Sequence, residues 1–306
     1  MEHGVEPPGR VFVFGSANQD HVLAVEVFPR SGETVMSLAY DSGLGGKGAN
    51  QAVAAAAADG LVTFVGAVGT DEQGNDVLTN LQDHGVDTRF ISQRTEPTGL
   101  AVVLVDKAGS NEIVVAPGAN AALGSEAVDL ALQVITPNDV VVVQCEIPVA
   151  RIEQVIRGGA ERGALVIVNL APFTVIDAAV FEDISLLIVN KSEALALAGS
   201  DAPETELASA VAAGTGCSCI VTLGENGSTY SGPGGDGGIH VAAGAVERVI
   251  DTTGAGDVYV GTLAASLARR DDTVTSMRAA SAAAARSVST LGAQGRTSQP
   301  SRETVA

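Results

Sequence analysis

The 306-residue chain has no tryptophan, only 3% aromatic residues, three cysteines and three lysines. With so few aromatics, any core must be built from aliphatic layers, and the 46% hydrophobic content supplies enough of them. Cys145, Cys217 and Cys219 are odd in number, lack metal-ligand spacing with histidine and lie in apolar, strand-like runs. They are expected to be reduced and buried, which excludes a disulfide framework. The deficit of positive charge is larger: 17 Lys and Arg against 36 Asp and Glu leave a formal charge of −19. Nucleic acid and anionic membranes, which need a basic face, are thereby disfavoured as partners. No apolar run reaches the roughly 18 residues of a membrane span, and the N-terminus has no basic-then-apolar leader. The expected location is the cytoplasm. An anionic substrate would still need local positive groups, so Lys47, one of only Lys47, Lys107 and Lys191, stands out.

Short continuous apolar runs occur at 11–14, 61–65, 140–143, 165–168, 186–189 and 220–223, most followed by ten to fifteen residues of helical pattern. Strands buried on both faces and alternating with helices predict a parallel, doubly wound sheet. Helices are expected at 49–58, 72–84, 125–135, 149–162, 192–198, 204–213, 257–269 and 274–291. Residues 21–27, 99–105 and 112–115 have strand character with no helix between them, which suggests an antiparallel insertion acting as a lid; edge strands of the main sheet are the alternative. The glycine-rich 232–238 stretch is expected to be a hairpin loop, since no helix follows it.

Residues 251–257 read Asp-Thr-Thr-Gly-Ala-Gly-Asp before an apolar helical pattern. Backbone N–H groups at a glycine-rich helix start favour an anion, and a carboxylate beside them is a natural general base for an attacking alcohol. The alternative is that Asp257 caps the helix. Residues 43–50, Gly-Leu-Gly-Gly-Lys-Gly-Ala-Asn, satisfy G-x-G-x-x-G but lie some thirty residues after the first strand, which is wrong for a dinucleotide fingerprint; Gly48 after Lys47 excludes a Walker A loop. Such a loop suits a polyhydroxylated ligand, a phosphate, or both. Asn18, Asp20, Glu146, Asn190 and Glu193 all follow strands, on the side where this topology binds ligands. Taken singly each has a plain alternative: turn residues, a helix-start acid before Pro148, or a helix cap.

The ordered set of 45–52 (GGKGANQA), 117–120 (PGAN), 190–193 (NKSE), 222–227 (TLGENG) and 251–257 (DTTGAGD) resembles the ribokinase branch of the PfkB family of carbohydrate kinases. The likeness runs from about Val11 to Gln294. It implies one ribokinase-like α/β domain over 1–306, a mostly parallel doubly wound sheet flanked by helices, with a small antiparallel β-sheet lid inserted at about 19–42 and 96–117. It further implies ATP-dependent phosphorylation of the primary hydroxyl of D-ribose to D-ribose 5-phosphate, and a homodimer clasped through the lids. The alternatives are a kinase of another sugar or nucleoside, such as 2-deoxyribose, and a non-catalytic sugar-binding protein.

Residue by residue, the resemblance assigns Asn18, Asp20, Gly46, Lys47, Asn50 and Glu146 to the sugar, and Asp257 to the base. The backbone amides of Gly254, Ala255, Gly256 and Asp257 form the anion hole. Asn190, Thr222, Gly224, Gly227 and Gly256 fall to the nucleotide, with the 279–287 helix against adenine. Asn190 and Glu193 would organise Mg²⁺ through water. A potassium-type ion would lie near Asp251, Thr253, Ser287, Thr290 and Gly292. Direct alignment puts Arg296 where the family has a serine, which puts potassium activation in doubt; a two-residue insertion restores Ser298, and both alignments stand.

Overall fold

In the computed structural model, residues 8–199, 202–235, 238–290, 292 and 294 are described. In chain order the elements are β1 (Arg10–Phe14), β2 (Asn18–Ala24), β3 (Ala39–Gly45), α1 (Lys47–Ala57), β4 (Leu61–Gly69), α2 (Glu72–Asp83), β5 (Asp87–Arg94), β6 (Gly99–Val105) and β7 (Asn111–Ala116). There follow α3 (Ser125–Leu132), β8 (Val140–Gln144), α4 (Val149–Glu161), β9 (Leu165–Asn169), β10 (Leu186–Asn190), α5 (Lys191–Ala198), α6 (Leu207–Thr215), β11 (Ser218–Thr222), β12 (Ser228–Ser231), β13 (Ile239–Val241), α7 (Ala255–Ala268) and α8 (Thr273–Ser287).

Nine strands form one sheet in the order β13-β12-β11-β10-β9-β8-β1-β4-β5. Seven run parallel, and β12 and β13 add an antiparallel edge. Both faces are covered, as the continuous apolar strands require. In β1, Phe12 and Phe14 enter one core with Val128 of α3, Ile152 and Val155 of α4 and Leu207 of α6. Val11 and Val13 enter the other with Ala52 of α1, Leu81 of α2, Leu263 of α7 and Met277 of α8. Strand alternation thus sorts one short run between two helical layers.

The second sheet has the order β3-β2-β6-β7. The antiparallel lid expected from the sequence is antiparallel at β2–β3 and β6–β7, but its central pair, β2–β6, is parallel. Strand direction explains the difference: β1 and β5 run the same way in the large sheet, and each continues within a few residues into a lid strand, so β2 and β6 leave the core together. The first lid strand begins at Asn18, three residues before its expected start. Gly43–Gly45, expected in a loop, end β3, where Gly45 pairs with Asn18. β5 has no counterpart among the expected strands because its sequence, DTRFISQR, mixes polar residues through both faces. β12 and β13, on either side of the 232–238 stretch, pair antiparallel; residues 236 and 237 of that stretch lie outside the described residues. No helix among the described residues is long and apolar enough to cross a membrane. The three cysteines are free and buried.

Candidate active site

The polar residues gather at the carboxyl ends of β1, β8, β9, β10 and β11, where strand order reverses around β1. Helix α7 points its N-terminus into this region. Its N-cap, Gly254, has φ +76°, a left-handed conformation suited to glycine, and no side chain caps the first turn. Ala255 N donates to Thr252 O at 3.2 Å, which leaves the next N–H groups, those of Gly256 and Asp257, to a ligand. Gly256 keeps the approach open: a Cβ built there meets no heavy atom within 4 Å.

Asp257, 7% exposed, sits in that first turn. It does not cap the helix. Its Oδ2 accepts from Asn50 Nδ2 at 3.0 Å and its Oδ1 from Gln51 Nε2 at 2.9 Å. Burial pushes the carboxyl above its ordinary range; the Lys47 charge and the hydrogen bonds from Gln51 and Asn50 offset part of that. Lys47 shows the reverse balance. Burial disfavours its charge, but Asp257, Glu146 and Glu193 together outweigh that and hold it charged.

Helix α1 begins at Lys47 after Gly46, whose φ is +87°. A Cβ on Gly46 would lie 2.8 Å from Ala17 Cα, so only glycine lets the chain pass the end of β1. One turn of α1 then presents Lys47, Asn50 and Gln51 toward α7. Glu146, expected alternatively as a helix-start acid, lies before α4 and instead accepts from the Ser16 hydroxyl at 2.5 Å and from Lys47 N at 3.1 Å. Asn18 is buried, and its Oδ1 accepts from Asn120 Nδ2 at 2.8 Å. Asp20 lies over Gly45, where any side chain would collide with its carboxylate.

A cleft of about 150 Å³ is lined by Lys47, Asn169, Asn190, Glu193, Thr222, Gly254, Gly256 and Asp257, among others. Asn190 also caps α5: it accepts from Glu193 N, and Glu193 Oε2 accepts from Asn190 N at 2.8 Å. The cap expected as the plain alternative for this pair is present, and the same residues face the cleft. Burial raises Glu193, against the backbone hydrogen bond from Asn190 and the charge of Lys47. Thr222 Oγ1 donates to Val189 O at 3.4 Å. Gly224 and Gly227 both have positive φ in the turn after β11, and Gly227 passes so close to Val241 O that a Cβ would stand 2.1 Å from it.

Residues 250–254 meet Val288 and Gly292 beside α7. Asp251 accepts from Thr253 N at 2.8 Å and Gly292 N at 2.9 Å, while Ile250 N and Asp251 N both donate to Val288 O. The Ser287 and Thr290 hydroxyls donate to Ala284 O and Ser287 O within the end of α8. Arg296 and Ser298 lie outside the described residues.

Sequence reasoning missed Gln51, Gln144 and Asn169, which are buried and joined to Asp257. A signal was present: Asn50-Gln51 is a polar pair in a helix otherwise almost all alanine and valine after its first turn. A larger cavity of about 410 Å³ opens at the opposite, amino ends of the strands beside Arg10, Leu61 and Arg89, far from this chemistry.

The model of the pfkB family of carbohydrate kinases matches residues 9–300. The ribokinase of Haemophilus influenzae is 33% identical over 296 residues, covering 95% of each chain. The deoxyribokinase of Salmonella typhimurium is 32% identical over 300 residues, covering 96% of each. Among solved structures, the Arabidopsis thaliana ribokinase complexed with ribose and ATP superposes with a TM-score of 0.83 at 30% identity, covering 94% of each chain.

Proposed function

This chain belongs to the pfkB family of carbohydrate kinases, and from that membership we propose that it transfers the γ-phosphoryl group of ATP to the primary hydroxyl of D-ribose, giving D-ribose 5-phosphate and ADP. The observation that carries the proposal is Asp257: a buried carboxylate, its proton affinity raised, at the uncapped N-terminus of α7 beside the Lys47 charge.

Sugar hydroxyls bind to Asn18, Asp20, Lys47, Asn50 and Glu146 above the end of β1. Asp257 takes the hydroxyl proton as the sugar oxygen attacks the γ-phosphorus, and the bond to the bridging β,γ oxygen breaks as ADP leaves. The N–H groups of residues 254–257 face the charge that develops on the transferred group. Positioning of the two substrates supplies the rest of the acceleration. The nucleotide lies along Asn190, Thr222, Gly224 and Gly227.

Among the described residues, the cleft is lined by Asp257 and Glu193 against the one positive charge of Lys47, which Glu146 also faces, so triphosphate enters such a site with a cation between. Asn190 and Glu193 fit Mg²⁺ held through water: Glu193 Oε2 is engaged in the cap, and the carboxylate keeps accepting capacity without freedom to swing. When bound, the ion neutralises phosphate charge. The Asp251 carboxylate, which draws Thr253 and Gly292 together through their N–H groups, supports a potassium-type ion at this corner. The lid supports a homodimer: Met36, Leu38, Tyr40 and Val114 expose 84%, 58%, 56% and 72% of their surface, and Tyr40 and Val114 share one face of the lid sheet that a second lid would cover.

The second reading, 2-deoxyribose as acceptor, is favoured by the nearly equal identity to a deoxyribokinase. One assay separates them: ADP release with Mg-ATP and either ribose or 2-deoxyribose, in sodium and in potassium buffer. Ribose-dependent turnover is expected, and turnover with neither sugar would overturn the proposal.

A further inference from the structure

Gln51, Gln144 and Asn169 are 0%, 0% and 8% exposed and carry no charge of their own; Gln144 and Asn169 are neighbours in the β8–β9 ladder, and Gln51 meets both from α1. Aliphatic residues of the same volume would pack this layer at lower cost. Their hydrogen bonds form a directed set. Asn169 Nδ2 donates to Ile188 O at 3.2 Å, which turns Asn169 Oδ1 toward Gln51. Gln51 Nε2 spends its two hydrogens on Asn169 Oδ1 at 3.0 Å and Asp257 Oδ1 at 2.9 Å. Gln51 Oε1 accepts from Gln144 Nε2 at 2.6 Å. A flipped Gln51 amide would set oxygen against two oxygens and nitrogen against nitrogen, so Asn169 and Gln144 leave one orientation. Gln144 does this at a cost, because its own buried Oε1 has no hydrogen-bond partner among the described residues.

The helices are placed for this contact. A Cβ on Gly261 of α7 would lie 2.3 Å from Gln51 O, so glycine there lets α1 approach closely enough for Gln51 to reach Asp257.

We infer that Gln51 is a positioning residue for the reaction, which Gln144 and Asn169 orient so that it holds the Asp257 carboxylate in plane and ionised, ready to accept the hydroxyl proton. The inference rests on Asp257 being the base. Each carboxylate oxygen receives one protein donor, from Gln51 or Asn50, and keeps a second lone pair for substrate. Among the described residues, the charged groups facing Asp257 are Lys47 from α1 and Glu146 after β8, with Glu193 of α5 across the cleft; Arg278 and Arg286 of α8 are exposed. Gln51 therefore works beside Lys47 against burial and Glu146.

The test compares wild type with Gln51→Met, Gln144→Met and Asp257→Asn, measuring kcat and KM against pH with Mg-ATP and sugar. Methionine keeps the volume and removes the donors. For Gln51→Met, kcat near neutrality should fall roughly ten- to hundredfold, the worth of one hydrogen bond to a charged group. Its acid limb should move up by about one unit or more, with sugar KM within about twofold. Gln144→Met, which leaves Asp257 untouched, should shift the limb the same way by less, and it decides the question if Gln51→Met does not fold. A loss of kcat equal at every pH, with the limb unmoved, overturns the inference. Wild type without sugar-dependent turnover sinks the functional reading itself, whereas active wild type, inactive Asp257→Asn and an unmoved limb sink the role of Gln51 alone.

Discussion

Glu146 Oε2 accepts a 3.1 Å hydrogen bond from the backbone N–H of Lys47, joining the end of β8 to the first turn of α1. The same oxygen accepts from Ser16 after β1. One carboxylate thus ties together three segments that border the proposed sugar side of the site. Glu146→Ala leaves the Ser16 hydroxyl and the Lys47 N–H without this acceptor. It should raise sugar KM at least about tenfold and lower stability by about 1–3 kcal/mol, the cost of unsatisfied buried groups. Steady-state kinetics and urea melts measure both. KM for ATP should change far less, since the proposed nucleotide site lies along β10 and β11.

Asp257→Asn should lower kcat by roughly 10²–10⁴, the range for a lost general base, with sugar affinity by calorimetry within a few fold. Near-normal turnover would remove Asp257 from the mechanism.

The pH dependence follows from the raised proton affinity of Asp257. The base must be ionised, so kcat falls as pH drops through a folded-state pKa raised by burial, and the acid limb should lie above the ordinary carboxylate range. For stability, the native state holds this proton more tightly than the unfolded chain does. Above the folded pKa the buried charge therefore costs stability, and acidification through that pKa restores it. Asp139 works in the opposite sense. Burial raises it, but hydrogen bonds from Arg10 and Thr136 outweigh burial and hold it below its ordinary value. Its contribution is present above the unfolded pKa and lost as pH falls through the folded one. Asp139→Asn should cost about 1–3 kcal/mol at neutral pH, with the difference from wild type shrinking in acid. Urea midpoints of the two proteins across the range check the sign.

Two glycines separate folding from function. Gly46→Ala forces a side chain into a left-handed backbone and against Ala17, and should cost about 1–3 kcal/mol. Gly256→Ala meets nothing in the free protein and sits in the first turn of α7, so stability should hold or rise by up to about 1 kcal/mol. Its methyl group would project where the phosphoryl group must approach, and kcat/KM for ATP should fall at least about tenfold. Thermal melts with kinetics of both variants give the comparison. A Gly256→Ala enzyme of normal activity would move the anion site away from this helix start.

Much of the large sheet was legible because its strands are buried on both faces and read as short runs such as Val140–Gln144, VVVVQ. β5 and β3 escaped for the converse reason: half-exposed strands carry polar residues through their length, and what makes them strands is a neighbour distant in sequence. The parallel β2–β6 pair could not be read either, since strand direction comes from the core strands that feed it. At the site, the glycine turns and strand-end polar residues announced themselves by spacing. Gln51, Gln144 and Asn169 did not, because an amide on a helix or strand acquires meaning only from what it faces.

The local chemistry is the sequence's own doing. Aliphatic runs make two-faced strands, glycines at 46 and 254 permit positive φ, and the DTTGAGD stretch starts a helix with no side-chain cap. These depend on residues within a few positions of one another. Tertiary structure decided the rest: it set Asn50 and Gln51 within 3.0 Å and 2.9 Å of a carboxylate some two hundred residues later, and surrounded Lys47 with three acids. Burial and electrostatic coupling fall off over a few ångströms of space, not along the chain, so the proton affinity of Asp257 exists only in the folded protein.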